Sequence, residues 1–139
     1  MGAWSEENFG NDDAGDWIYE LEKSKGLDTL LRPINAINSN QGYIESSDCS
    51  EALAASEVVA AGITGDLSKI PDEAKAWLNK KSWFFGSKPE IEKEHVILAI
   101  RCIEKILAES ELKELWQETE DYSKWQQVQS ALIVKLSNV

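Results

Sequence analysis

Residues Asp48 to Gly62 read D-C-S-E-A-L-A-A-S-E-V-V-A-A-G, and from Ala52 to Ala61 they hold only Ala, Leu, Val, one Ser and one Glu. A helix apolar on nearly every side is a buried one, and small Ala side chains let neighbouring helices approach closely. The stretch therefore predicts a central Ala-rich strut, about residues 48–63, in an all-α protein. The strut begins at Ser47 or Asp48, and with Asp48 as the cap Glu51 stands three residues on to reach back in a capping box. Gly62 and Gly65 bracket its end.

Working outward, residues 1–10 read as an irregular segment with Trp4 and Phe9 as large apolar anchors. Asn11 caps a first helix, and Asp12 and Asp13 sit where the helix dipole favours negative charge. Ala14, Trp17, Ile18 and Leu21 follow as one apolar stripe at i, i+3, i+4, i+7. Gly26 suits a left-handed cap at its end. Asp28 is the candidate cap of a second helix through Leu30, Leu31, Ile34 and Ile37, which Pro33 should kink or restart. Beyond the central helix, Pro71 opens a short fourth helix with Ala74, Trp77 and Leu78 inward. Pro89 opens a long fifth one to about Glu109. Ser110 caps a sixth with Leu112, Leu115 and Trp116, and Tyr122, Trp125, Val128, Leu132 and Leu136 mark a seventh. No strand pattern and no internal repeat is evident. The expectation is one compact domain over 1–139, with six to seven helices around the central one and residues 1–10 packed on the bundle.

Composition bounds the function. At 139 residues, 42% hydrophobic and 28% charged, the chain can bury a core of its own without disulfide or metal staples. Its net charge of −11 opposes phosphate-backbone binding, which needs clustered Lys and Arg, and would attract a basic protein. No apolar run approaches the roughly 20 residues of a membrane span. The start lacks the basic head and apolar run of a secretion signal, and Glu6 stands where a myristoylation motif wants Ser or Thr. The expected setting is the cytoplasm, with neither nucleic acid nor membrane as partner. Cys49 and Cys102 then read as buried free thiols.

Chemistry-bearing residues are sparse. The one histidine, His95, lies on the fifth helix beside its apolar stripe and reads as a satisfied core or edge residue. No nucleophile elbow, Gly-rich phosphate loop, H-E-x-x-H or C-x-x-C occurs, so no catalytic residue, metal site or cofactor is assigned. Asp12, Asp16 and Glu20 stack on one side of the first helix at i, i+4, i+8, where they repel one another unless a cation or water intervenes. Glu57 is surrounded by Ala54, Ala55, Val58, Val59, Ala60 and Ala61. An unpartnered carboxylate there would cost several kcal/mol or be neutralised. Arg101, Arg32, a Trp indole N–H or backbone amides of the first ten residues are its candidate partners. Lys80, Lys81, Trp83, Phe84 and Phe85 join aromatic rings to the one locally basic stretch and form the candidate contact surface. Inward packing of those rings is the alternative.

The opening M-G-A-W-x(4)-F-x-N-D-D-A-x-D-W, Met1 to Trp17, resembles the signature of a bacterial family, the domain of unknown function numbered forty-two fifty-nine. Cys49 to Ala61 and Ser110 to Glu118 resemble it as well. Ser5 departs from the glycine of that family. The resemblance implies a small, soluble, helical protein and no particular activity. Read physically, its residues are architectural: Trp4 and Phe9 tie down the N-terminal segment, Asn11, Asp12 and Asp13 start a helix, Asp16 lies on the same helix, and Trp17 buries. Residues 1–10 are expected over the central helix, with Glu57 accepting hydrogen bonds from them.

Taken together, the sequence suggests an acidic, non-catalytic helical protein binding a basic macromolecule, with an immunity-type inhibitor as one concrete form. Two alternatives stand beside it. One is a small-ligand or divalent-metal enzyme using Asp12, Asp16, Glu51 and Glu57 in an interhelical pocket, and the other is a homo-oligomeric scaffold joined through exposed aromatics.

Overall fold

The central rod exists and is the longest helix of the protein. In a computed structural model, which describes residues 5–79 and 90–139, it runs from Ser46 to Thr64 and buries every residue from Ala52 to Ala61. Seven helices are present among the described residues: α1 Asp12–Lys23, α2 Asp28–Ser39, α3 Ser46–Thr64, α4 Asp72–Leu78, α5 Lys93–Ala108, α6 Glu111–Gln117 and α7 Tyr122–Ser137. Helix α3 packs against α1, α2, α5, α6 and α7. The core is continuous through all of them, so the protein is an all-α single domain.

Alanine is what permits this. Ala52, Ala54, Ala55 and Ala60 are fully buried, and a helix with methyl groups on several faces can be contacted on all of them at short interaxial distance. At its C-terminal end, a side chain on Gly62 would strike Ile91 and Leu78. Gly65 then ends the helix in the left-handed conformation (φ +82°), its N–H bonding Ala61 O.

Several helix ends differ from expectation, each for a physical reason. Helix α3 starts at Ser46, and the Asp48–Glu51 capping box does not form. The cap comes from another helix: Glu111 Oε1 accepts Ser46 N–H at 2.7 Å, while Glu111 N–H bonds Ile44 O at 2.9 Å. Glu51 instead meets Arg32 at 3.4 Å. Asp28 is the first helical residue of α2 and not its cap. Pro33 neither breaks nor restarts that helix. Its missing N–H would have bonded back into the first turn, and its ring is buried in the core. The end of α2 is held by Lys105, whose Nζ donates to Ile37 O at 2.8 Å and also to Asn40 O.

Helix α1 ends at Lys23, with Ser24 Oγ bonding Leu21 O at 2.6 Å, and Gly26 (φ +79°) turns the loop beyond it. Helix α5 begins at Lys93. There His95 Nδ1 accepts Glu92 N–H at 2.9 Å, so the histidine is spent on closing a helix end. Pro89, proposed above as its opening, lies outside the described residues. Asn11 and Ser110 cap α1 and α6 as expected, accepting from Ala14 N–H at 2.8 Å and Lys113 N–H at 3.1 Å.

Candidate functional site

The segment Ser5–Asn11 turns back on itself before entering α1. Ser5 N–H bonds Gly10 O at 3.3 Å and Glu7 N–H bonds Ser5 Oγ at 3.2 Å, so a serine serves this turn. A side chain on Gly10 would collide with the Ser5 hydroxyl. The turn lowers Asn8 into the core, where it is only 4% exposed. Asn8 Nδ2 donates to Glu57 Oε2 and to Gln129 Oε1, both at 3.0 Å, and Asn8 Oδ1 accepts from Gln129 Nε2 at 2.7 Å. Asn11 Nδ2 holds the backbone behind it by donating to Asn8 O at 3.2 Å. One asparagine thereby ties the N-terminal segment to α3 and to α7.

Glu57 does take a hydrogen bond from the first ten residues, and among the described residues it comes from the Asn8 side chain and not from a backbone amide. Arg101 is exposed, and Arg32 pairs with Glu20 at 3.1 Å and with Glu51. A neutral amide can satisfy the carboxyl without bringing a second charge out of water. Burial pushes the Glu57 carboxyl up to about 7. The Asn8 hydrogen bond and the more distant Lys135 and Lys69 oppose that rise, and Glu7 adds to it. Near neutral pH the group is thus poised between its charge states, which is a frequent property of functional carboxyls. Gln129, fully buried, is absent from the sequence-derived core. Its spacing from Trp125 and Leu132 places it on the inward stripe of α7, and that register is the available signal.

Three recesses surround the segment. A cleft of about 80 Å³ lies beneath it, walled by Ser5, Glu6, Asn8, Asn11 and Asp13 on one side. Ser46, Ser50 and Leu53 of α3, with Leu112, Trp116 and Trp125, complete it. The Trp116 and Trp125 rings are nearly parallel, 12° apart with centroids at 6.4 Å. On the other side, Glu57 faces an open groove of about 340 Å³ with Lys69, Lys124, Lys135 and the apolar residues Val128, Ala131 and Leu132. Those lysines are engaged at the groove's edge, with Glu7 at 3.4 Å, Asp121 at 3.5 Å and Asp66 at 2.9 Å. The third recess, about 300 Å³, runs between α1 and α4 and is lined by Phe9, Asp12, Gly15, Asp16, Ile18, Tyr19, Pro71 and Glu73.

The residues singled out in the sequence are thus distributed. Asn11, Asp13, Phe9 and Trp17 stand where expected, and Trp17 is buried with its Nε1 lacking a partner among the described residues. Asp12 and Asp16 share the α1–α4 groove, while Glu20 turns to Arg32. The four carboxylates considered for an interhelical enzyme site do not converge: Asp12 and Asp16 line one groove, Glu57 another, and Glu51 meets Arg32. Among the described residues no group of three or more His, Cys, Asp and Glu is arranged to hold a metal ion. Cys49 and Cys102 are buried free thiols, pushed up by burial to about 11 and about 12. Trp4 and the candidate contact residues Lys80, Lys81, Trp83, Phe84 and Phe85 lie outside the described residues. No described helix is long and apolar enough to cross a membrane.

Fold and site together define a small helical domain whose N-terminal segment is latched into the core between two recesses. The family model described as Domain of unknown function (DUF4259) matches residues 2–128, and the chain belongs to that family. No curated protein and no solved structure matches it.

Proposed function

We propose that this is a non-catalytic binding protein for a basic macromolecular partner, which docks along the α1–α4 groove. The supporting observation is the make-up of that groove. Asp12, Asp16 and Glu73 surround a floor of Phe9, Ile18 and Tyr19, and none of the three carboxylates has an ion pair among the described residues. Tyr19 is 56% exposed, so its ring is open to contact from outside. On a chain of net charge −11 such a surface attracts cations from a distance and speeds their encounter. Lysine and arginine stems would lie on the aromatic floor, and their heads would meet the carboxylates. An inhibitor that neutralises a basic toxin is the concrete form this reading takes.

The test is a titration with an arginine- and lysine-rich peptide at low and moderate salt. Exposed charge pairs contribute about 0.2–1 kcal/mol each. Replacing all three carboxylates by amides (D12N/D16N/E73Q) should therefore weaken binding by roughly threefold to a hundredfold and flatten its salt dependence. Unchanged affinity in that variant would remove the groove from the account.

A further inference from the structure

We infer that the segment Ser5–Asn11 is a strap latched to the bundle through Asn8, Glu57 and Gln129, and that protonation of Glu57 decides whether the latch is closed. The latch stands on its own geometry and does not depend on the docking proposed above.

The segment is built to move as a unit. Its backbone closes on itself, Ser5 N–H bonding Gly10 O and Gly10 N–H bonding Glu7 O at 3.0 Å. Among the described residues its backbone bonds to no element other than α1, into which it leads. Asn8 is the one buried residue within it, and Phe9 packs on the core only in part. Two ties cross to the rest of the protein: the hydrogen bonds of the Asn8 side chain to Glu57 and Gln129, and the Glu7–Lys69 pair at 3.4 Å. The ion pair is exposed, and pairs of that kind contribute little. The cleft lies on one flank of the strap and the Glu57 groove on the other, so it is less tightly enclosed than a core element. A segment held mainly by one buried side chain opens locally at a lower free energy than the core unfolds.

The latch also contains a carboxyl where charge is costly. Glu57 is 5% exposed, and its Oε2 accepts from a neutral amide. The charged groups around it are Glu6 and Glu7 on the strap, Lys69 from the loop before α4, and Lys124 and Lys135 on α7, while its sequence neighbours on α3 are uncharged. The three lysines are held by Glu7, Asp121 and Asp66, so none is free to neutralise Glu57. Within this ring burial prevails and pushes the carboxyl up to about 7. Protonated, Glu57 fits the closed latch as a neutral group and still accepts from Asn8. Ionised, it is a buried charge beside the two strap carboxylates, and lifting the strap lets water reach it. The latch is therefore tightest below about pH 4.5 and loosens as pH rises through about 7. Glu7 and Phe9 flank Asn8 and line the Glu57 groove and the α1–α4 groove, so release reshapes both surfaces together. Any effect on a docked partner rests on the reading above; the latch itself does not.

Hydrogen exchange of the full chain, followed by NMR, reads the latch without a partner. The reporters are the side-chain amide hydrogens of Asn8 and Gln129, each corrected for the intrinsic exchange rate at the same pH. The backbone amides of Val58 and Val59 in the core of α3 report global unfolding. The Asn8 and Gln129 amides are expected to exchange faster than the core amides demand, with protection falling about tenfold or more from pH 5.5 to pH 8.5. Glu57→Gln keeps an acceptor for Asn8 and removes the titration, so its protection should stay level across that range. If E57Q fails to fold, the wild-type pH series decides alone. Exchange of the two side chains only together with the α3 core, or protection that does not change with pH in the wild type, overturns the inference, whether or not a basic peptide binds the α1–α4 groove.

Discussion

At the residue scale the molecule turns on Glu57. Its neighbours on α3 are apolar, which made its burial legible, and the first ten residues were a legible source of its partner. Asn8 was not, because a lone asparagine between Glu7 and Phe9 carries no periodic signal and its second partner, Gln129, is 121 residues away. The pH behaviour follows from the raised proton affinity. Between about pH 4.5 and about 7 the folded state holds a proton on Glu57 that the unfolded chain has released. The associated stability is complete below that window and is lost as pH rises through it, and a shift of this size corresponds to roughly 3 kcal/mol. Glu57→Gln preserves an acceptor for Asn8 and removes the titration. Urea unfolding at pH 5 and pH 8 should therefore show a smaller loss in E57Q than in the wild type, with E57Q the more stable of the two at pH 8. Equal losses would mean Glu57 does not titrate in that window. Asn8→Ala strands both the carboxyl and the Gln129 amide, and a loss of about 2–4 kcal/mol is expected by the same measurement.

At the element scale, what could be read was what is local. Asn11 and Ser110 each cap a helix through a residue three positions on, and both were identifiable from residue type and spacing. The start of α3 was placed too late because Asp48 and Glu51 satisfy a local rule that a tertiary contact overrides. Glu111, 65 residues away, supplies the acceptor, and in return its own N–H is taken by Ile44. The α3 and α6 starts are thus one joint. Glu111→Ala should cost about 1–2 kcal/mol in denaturant, as loss of a charged cap does. Asp48→Ala should cost only a few tenths, the dipole contribution of an exposed first-turn carboxylate. Reversed magnitudes would restore the local cap. His95 follows the same logic in a different way. It was recognised as spoken for, but its work is accepting Glu92 N–H at the start of α5, a geometry that apolar patterning does not encode.

At the scale of the whole molecule, the buried alanine rod and the all-helical fold were legible because apolar periodicity is a property of every segment at once. The recesses were not, since they form only where the N-terminal segment, α1, α3, α4, α6 and α7 meet. Charge belongs to this scale too, and it has two consequences of opposite sign. Twenty-five carboxylates against fourteen cationic side chains repel one another across a small domain, and that repulsion is relieved when the chain expands. Added salt shortens its range from about 30 Å at 0.01 M to about 3 Å at 1 M. Raising NaCl from about 0.01 to 0.5 M at pH 7.5 should therefore raise the melting temperature of the free protein by several degrees. The same screening weakens the attraction for a basic partner, so affinity for the arginine- and lysine-rich peptide should fall over the same range. Calorimetry of both quantities in one salt series provides the check. Stability and affinity moving in opposite directions is the signature of an unpaired acidic surface, whereas parallel movement would mean that the carboxylates of α1 and α4 are neutralised within the folded chain and have nothing left for a partner.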